Sequence, residues 1–260
     1  MFRRWLTHPL MRDRDIDLSE TTQLRRQLLS GKPFLKALYR EWYGRLAATV
    51  PTGEGLVLEI GSGAGFMRDV IPEVITSDVL PLEGVDQVID ALHLPFADGA
   101  LRAMLLVDVL HHLPKPVEFL AEASRAVRPG GVLSMIEPWN TLWSRLVYRR
   151  LHHEPFEPDA GWEATGRGPL SRANGALPWI LFERDRGRLM NVVPKWRIAR
   201  RTPLMPIAYL LSGGVSFRSL APGRAYPWVR RVERLFELAG TQSAMFAHIL
   251  LERVEAGVPA

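Results

Sequence analysis

Between Leu56 and Ile136, short apolar runs of strand length, broken by Gly, Pro and Asp, alternate with helix-length amphipathic segments. This rhythm constrains the fold more than any other feature of the chain. Strands covered on both faces read as nearly continuous apolar runs, and strands that alternate with helices pair in parallel. The spacing predicts strands over residues 56–60, 73–77, 87–89, 101–107 and 131–136. It predicts one helix opening at Gly65 and another over residues 117–127, stopped by Arg128-Pro-Gly-Gly. Residues 247–254 read as a last strand returning to the sheet. The link over residues 78–85 is an oddity, too short for the crossover helix that parallel neighbours usually need.

Two further regions flank this core. Ser19-Glu-Thr-Thr precedes a helical run with Leu24, Leu28 and Leu29, and a second run sets Phe34, Leu35, Leu38, Trp42, Tyr43 and Leu46 at helical spacing. After Glu137 tryptophans are scattered through helical and irregular stretches, and residues 154–173 form a polar segment punctuated by Gly and Pro, the signature of a functional loop or flap. At 260 residues the chain can hold one large core or a core with a modest lobe. The expected division is a helical lid over residues 1–50, a core over 51–140, and a third region over 141–260 that carries an acceptor-side insert and the last helices and strands of the sheet.

Composition removes whole classes. With 47% hydrophobic and 23% charged residues the chain is ordinary globular protein. The absence of cysteine excludes disulfides, zinc-thiolate sites, iron–sulfur clusters and thiol nucleophiles, and fits a reducing cytoplasm. No run of about 18 apolar residues is present, and the N-terminus is too polar for a secretory signal, so a cytoplasmic protein is expected.

Leu56-Val-Leu-Glu-Ile-Gly-Ser-Gly-Ala-Gly-Phe is a strand running into a glycine-rich turn, where backbone N–H groups can approach a ligand unobstructed. The dinucleotide fingerprint Gly-x-Gly-x-x-Gly would need glycine at position 66, which is Phe66, and this weighs against an NAD enzyme. An acidic residue followed by three glycines at alternate positions, Glu59-x-Gly61-x-Gly63-x-Gly65, resembles instead the first motif of class I S-adenosylmethionine-dependent methyltransferases. Ile75-Thr-Ser-Asp78, Asp90-Ala-Leu-His-Leu-Pro-Phe96, Val107-Asp-Val-Leu-His-His-Leu113 and Arg128-Pro-Gly-Gly follow in the family's order, in the manner of its type 11 subgroup. Arg102 departs from the pattern, where the family commonly has Asp.

The resemblance covers roughly residues 54–138. It implies an α/β fold: a Rossmann-like, seven-stranded, mostly parallel sheet with helices on both faces, an N-terminal helical lid, and a helical and loop insert after strand five. It implies S-adenosyl-L-methionine as cofactor, held by Glu59, Gly61, Ser62, Gly63, Gly65, Asp78, Val79, Asp90, Ala91 and Asp108. In that picture Asp78 accepts hydrogen bonds from the ribose hydroxyls, Asp90 faces the adenine amino group, and Glu59 braces the glycine turn.

Transfer of a methyl group from a sulfonium needs alignment above all, and a base only where the acceptor must lose a proton. His111, His112 and His153 are the base candidates, with His152 and Glu154 beside them. Adjacent histidines on a helix diverge by about 100°, so one ring of each pair should face the site and the other the protein, and no metal site is expected. Up to Asn140 the chain carries 15 basic and 18 acidic residues, and beyond it 18 basic and 10 acidic. The positive charge therefore lies in the acceptor-side half, with Arg145, Arg149, Arg150, Arg167, Arg172, Arg184, Arg186 and Arg188 as candidate anion contacts, or as a solvated face.

The reading that results is a methyltransferase for a small-molecule, glycan-linked or lipid-linked acceptor, anionic and modified at oxygen. The alternatives are an RNA methyltransferase, disfavoured by the absence of a nucleic-acid module and of a Pro-Pro-aromatic motif after strand four, and a non-catalytic protein that binds the cofactor. Apolar stripes beside arginines, Trp228, Val229, Val232, Leu235 and Phe236 in one place and Phe2, Trp5 and Leu6 in another, suit either a core-facing helix or peripheral contact with the inner membrane face.

Overall fold

Seven strands form one sheet: β1 (Leu56–Ile60), β2 (Val74–Asp78), β3 (Gln87–Val88), β4 (Leu101–Val107), β5 (Val127–Pro138), β6 (Trp196–Leu204) and β7 (Phe246–Arg253). The computed structural model describes residues 6–151, 154–164, 166–239 and 241–255, without the side chains at 151, 236–239 and 241. Strand order is β3-β2-β1-β4-β5-β7-β6; the first five strands run parallel, and β7 lies antiparallel between β5 and β6. Chain order reverses between β1 and β4, so the crevice beyond their carboxyl ends is where such a sheet places a ligand.

Period-two alternation divides the core. Helices α1 (Ser19–Ser30) and α2 (Pro33–Ala47) precede β1 and α3 (Pro116–Ala126) follows β4; Leu58, Met104, Leu106, Leu133 and Met135 pack on one face with Phe119, Leu120 and Ala123 of α3. Val57, Ala103, Leu105, Val132 and Ile136 face the other way, onto α2. Proline opens both α2 and α3, where its missing N–H costs nothing. Longer helical segments beyond these are α4 (Leu142–Leu151), α5 (Arg186–Val192), α6 (Ala208–Ser212) and α7 (Tyr226–Ala239), and a helical turn at Leu177–Trp179 runs into a π-helical one at Ile180–Arg184. None of the helices among the described residues is long and apolar enough to cross a membrane.

Two expectations are corrected. No α-helix opens at Gly65; the chain makes only a 3-10 turn over Met67–Asp69 before Pro72 and β2. The sheet face that such a helix would cover is already taken by α2, whose Phe34, Leu38, Trp42, Tyr43 and Leu46 are fully buried among Val57, Met67, Ile71 and Val74. The second helix of the expected lid is thus a wall of the core, each large side chain contributing about 1.5–3 kcal/mol by burial. The short link after β2 is real and has a simple resolution: β3 is an edge strand of two residues, pairing only Ser77 with Gln87 and Asp78 with Val88, so no helix has to be spanned. Arg102 sits away from the crevice, where it bonds the Gly55 carbonyl and pairs with Glu73 at 3.0 Å.

Candidate active site

At the end of β1 the chain turns through Gly61, with φ +69°, and Gly63, with φ +46°. A Cβ on Gly61 would lie 2.5 Å from Val109 Cγ2, and one on Gly65 would collide with the Tyr43 hydroxyl and the Ser62 carbonyl, so close approach and backbone conformation both require glycine. Beneath the turn Ser62 Oγ donates to Glu59 Oε2 at 2.7 Å and accepts from the Ser77 N–H at 3.1 Å. Burial pushes the Glu59 carboxyl up to about 7, against the bond from Ser62. From above, Arg26 of α1 donates to the Gly63 carbonyl at 2.8 Å and to that of Glu83. The turn is braced from both sides.

Asp78 closes β2 with its carboxylate accepting from Gly63 N at 2.9 Å and Leu80 N at 2.9 Å, which ties the second strand end to the glycine turn. Burial raises its pKa despite these bonds. Asp90 accepts from Leu92 N at 2.9 Å and stays half-exposed. Glu59, Gly61, Ser62, Gly63, Gly65, Asp78, Val79, Asp90, Ala91 and Asp108 all line a single cavity of about 680 Å³.

A polar cluster forms where β4 ends. Asp108 adopts φ +62°, a conformation Asp tolerates better than most side chains, with its N–H bonded to the Ile136 carbonyl at 2.8 Å. Burial pushes its carboxyl up to about 7, opposed by the nearby His111 and reinforced by Glu154 and Glu137. Glu137, fully buried at the end of β5, accepts from Val109 N at 2.9 Å and Leu110 N at 2.8 Å through Oε1, and faces His111 Nδ1 at 2.8 Å through Oε2. Burial works against a charged His111, but the bond to Glu137 and the nearby Glu154 and Asp108 carboxylates outweigh it and hold the ring well above its ordinary range. His112 donates Nδ1–H to the Arg172 carbonyl at 2.9 Å, and burial with the neighbouring His111 charge pushes it down to about 4, so this ring is neutral.

The base candidates therefore separate. His112 lines the cavity, whereas His111 is fully buried beneath it and is not placed as a base. His152 and His153 lie outside the described residues. The expected divergence of the two adjacent rings is also corrected: Leu110–His112 is a 3-10 turn, the ring centroids lie 4.1 Å apart, and both Nε2 atoms turn toward Glu154.

The far side of the cavity is built from distant segments. Glu154, Arg167, Leu170 and Arg172 line it, so the expected flap over residues 154–173 contributes wall, pinned by Asp17, which accepts from Leu170 N at 2.7 Å and Ser171 N at 2.8 Å. Arg25, Tyr39, Tyr148, Tyr209, Phe217 and Arg218 complete it, and Arg25 Nε is buried without a hydrogen-bond partner. Arg25 and Arg218 escape sequence reasoning because nothing local distinguishes an arginine on a cavity wall from one on a solvated face. Of the arginine candidates only Arg167 and Arg172 reach the cavity; Arg184 pairs with Asp185 and Arg188 lies over the Trp162 ring. On α7, Val229 packs against the core and Arg230 is buried, while Trp228, Val232 and Leu235 are exposed beside Arg231 and Arg234, so most of the apolar stripe does not face the core.

Residues 58–135 match the family described as methyltransferase domain. The 2-methyl-6-phytyl-1,4-hydroquinone methyltransferase of Synechocystis is 30% identical over 127 residues, which cover 42% of this chain and 39% of that protein. The chain spans well under half the length of the curated relatives it matches. Among solved structures, the geranyl diphosphate C-methyltransferase of Streptomyces coelicolor A3(2), a complex with Mg2+, geranyl diphosphate and S-adenosyl-L-homocysteine, superposes with a TM-score of 0.54 at 14% identity, covering 96% of this chain and 92% of that one. That likeness is one of fold.

Proposed function

We propose, from a core whose residues 58–135 match a methyltransferase domain, that this chain binds S-adenosyl-L-methionine and methylates an acceptor with an apolar body and an anionic group. The observation that carries the reading is convergence: ten residues singled out from separate motifs line one cavity, which continues into a chamber walled by tyrosines and arginines. At about 680 Å³ the cavity is in the upper half of the range of roughly 300–1,000 Å³ for small-molecule sites.

The residues present suit the cofactor. A turn of glycines keeps side chains out of this end of the cavity, and the Asp78 carboxylate can accept from a ribose diol while it holds the turn. Asp90, Ala91 and Leu92 offer a polar edge and an apolar surface for a flat ring. When bound, the cofactor supplies a methyl group on a sulfonium already activated for in-line displacement. The chain's own task is to align the acceptor and exclude water, for which the apolar walls of Tyr39, Tyr148, Tyr209 and Phe217 are suited.

Arg25, Arg167, Arg172 and Arg218 support an acidic or phosphorylated acceptor, and the aromatic walls support a lipid-linked or similarly apolar one. Asp108, His112 and Glu154 at the cavity floor support methylation at oxygen, since a hydroxyl acceptor has to lose a proton where the methyl arrives. Thermal-shift titration with S-adenosylhomocysteine and with NAD tests the reading. Stabilisation of about 2.7 kcal/mol is expected when S-adenosylhomocysteine exceeds its Kd about 100-fold. Stabilisation by NAD alone would overturn it, and unchanged affinity for S-adenosylhomocysteine in Asp78→Ala would remove Asp78 from the site.

A further inference from the structure

The polar cluster at the end of β4 contains more than a base requires. His111 commits its Nδ1–H to Glu137 Oε2 at 2.8 Å, and His112 commits its own to the Arg172 carbonyl at 2.9 Å. A carbonyl oxygen can only accept, so His112 carries a proton on Nδ1, and Nε2 is the atom the ring can offer as a ligand. Glu137 cannot swing away, because its other oxygen takes the N–H groups of Val109 and Leu110. Fixing Nδ1 on a carboxylate or a backbone carbonyl is how proteins set the tautomer and ring orientation of a metal-ligating imidazole.

The two Nε2 atoms, that of His111 after it yields its proton to an incoming cation, then face a third ligand group. Glu154 Oε2 lies 3.5 Å from His111 Nε2, and Oε1 lies 3.9 Å from His112 Nε2. Both separations exceed a well-formed hydrogen bond, and His111 Nε2 is buried with no hydrogen-bond partner. They are close to the edge of about 3.4 Å between tetrahedral ligands that each sit about 2.1 Å from a zinc-sized ion. One ligand atom from each residue falls within 4.8 Å of the others.

We propose that His111, His112 and Glu154 form a binding site for a divalent transition-metal cation at the floor of the acceptor chamber. Two imidazoles with one carboxylate suit zinc, cobalt or iron(II) better than magnesium or calcium, which prefer oxygen donors throughout. Asp108 Oδ1, 4.0 Å from His111 Nε2, is a further carboxylate within reach of the same ion. His112, Glu154 and Asp108 line the cavity, so the site is open on the acceptor side. The existence of the site does not depend on the proposed reaction. Its role does: in a methyltransferase for oxygen, a cation here holds the acceptor oxygen and lowers the pKa of its hydroxyl.

The test is titration of the full-length, chelator-treated protein with Co2+, followed by visible ligand-field absorption and by calorimetry, then displacement with Zn2+. One equivalent should bind with tetrahedral or five-coordinate absorption, and His112→Gln and Glu154→Gln should each lose about 100-fold or more in Co2+ affinity. These two residues face the cavity, so their variants are preferred to His111→Gln, and circular dichroism checks that they fold. Affinity for S-adenosylhomocysteine should stay within a few-fold in both, which separates failure of the metal site from failure of the cofactor site. Absence of stoichiometric Co2+ binding, Co2+ affinity unchanged in both variants, or binding of Mg2+ in preference to Co2+ and Zn2+ would each overturn the proposal.

Discussion

Arg230→Met should destabilise the protein by about 3 kcal/mol at neutral pH, and the size of the loss should depend on pH in a set direction. Arg230 of α7 is buried and forks onto Glu41 of α2, through Nε to Oε2 at 2.9 Å and Nη2 to Oε1 at 2.8 Å, while Nη1 reaches Glu233 at 2.5 Å. Glu233, also buried, accepts from Ile207 N and Ala208 N at 2.5 Å each and so caps α6, whose Tyr209 lines the cavity. Burial opposes ionisation of Glu41, but the bonds from Arg230 and Tyr226 and the Arg230 charge bring it from its ordinary 4.5 down to about 2. At about 1.4 kcal/mol per pH unit, that depression amounts to roughly 3 kcal/mol, at the lower end of the roughly 3–5 kcal/mol lost on breaking a buried ion pair. Arg45, 2.9 Å from Glu41, remains in the variant and keeps the loss at that lower end.

Because the folded-state value is depressed, this stabilisation is present above about pH 4.5 and fades as the pH falls toward 2. The wild type and Arg230→Met should therefore differ most near neutrality and converge in acid. Urea denaturation at about pH 7 and about pH 3 reads the difference, and the melting temperature at neutral pH should fall by about 6–12 °C for a chain of this size. A loss below about 1 kcal/mol at neutral pH, or the same loss at both pH values, would refute the assignment of Arg230 and Glu41 as a buried, mutually stabilising pair.

Three other expectations are simpler. Glu59→Gln should flatten the pH dependence of stability between about pH 4.5 and 7, because the wild-type carboxyl, raised by burial to about 7, favours the folded state at low pH and loses that contribution as pH rises through this window; denaturation curves across the window check it, and a parallel profile in the variant refutes it. Gly61→Ala places a side chain at φ +69° and 2.5 Å from Val109, so it should lose about 1–3 kcal/mol of stability and at least tenfold in S-adenosylhomocysteine affinity, read by calorimetry. Arg25→Met should leave S-adenosylhomocysteine affinity within a few-fold but reduce labelled methyl incorporation into the organic extract of a cell lysate by about tenfold or more, since it removes a buried cation from the acceptor wall.

The cofactor side of this protein is written locally. Glu59 to Gly65, Asp78, Asp90 and Asp108 each sit at or just beyond a strand end, in turns whose residue types follow from backbone conformation, so short stretches of sequence reveal both the strands and the ligand-facing positions. Parallel pairing then brings those strand ends together at the point where strand order reverses. Even here the pattern of glycines could not show that the following helix is absent, because α2, distant in sequence, is what occupies its place on the sheet.

The far wall of the cavity is decided by tertiary closure. Arg25 comes from α1, Glu154 and Arg172 from the segment over 154–173, Tyr209 from α6 and Arg218 from beyond it, with no shared period or spacing, and each would read equally well as surface. The two adjacent histidines make the contrast plainest: helical geometry alone turns their rings apart, and only the anchoring of one Nδ1 on Glu137 and of the other on the Arg172 carbonyl turns both Nε2 atoms toward Glu154. Sequence by itself determined where a cofactor can lie, since that depends on neighbours along the chain. Which groups line the rest of the cavity, and with what charge, was decided by the structure, since that depends on contacts between residues up to 189 positions apart, such as Arg230 with Glu41.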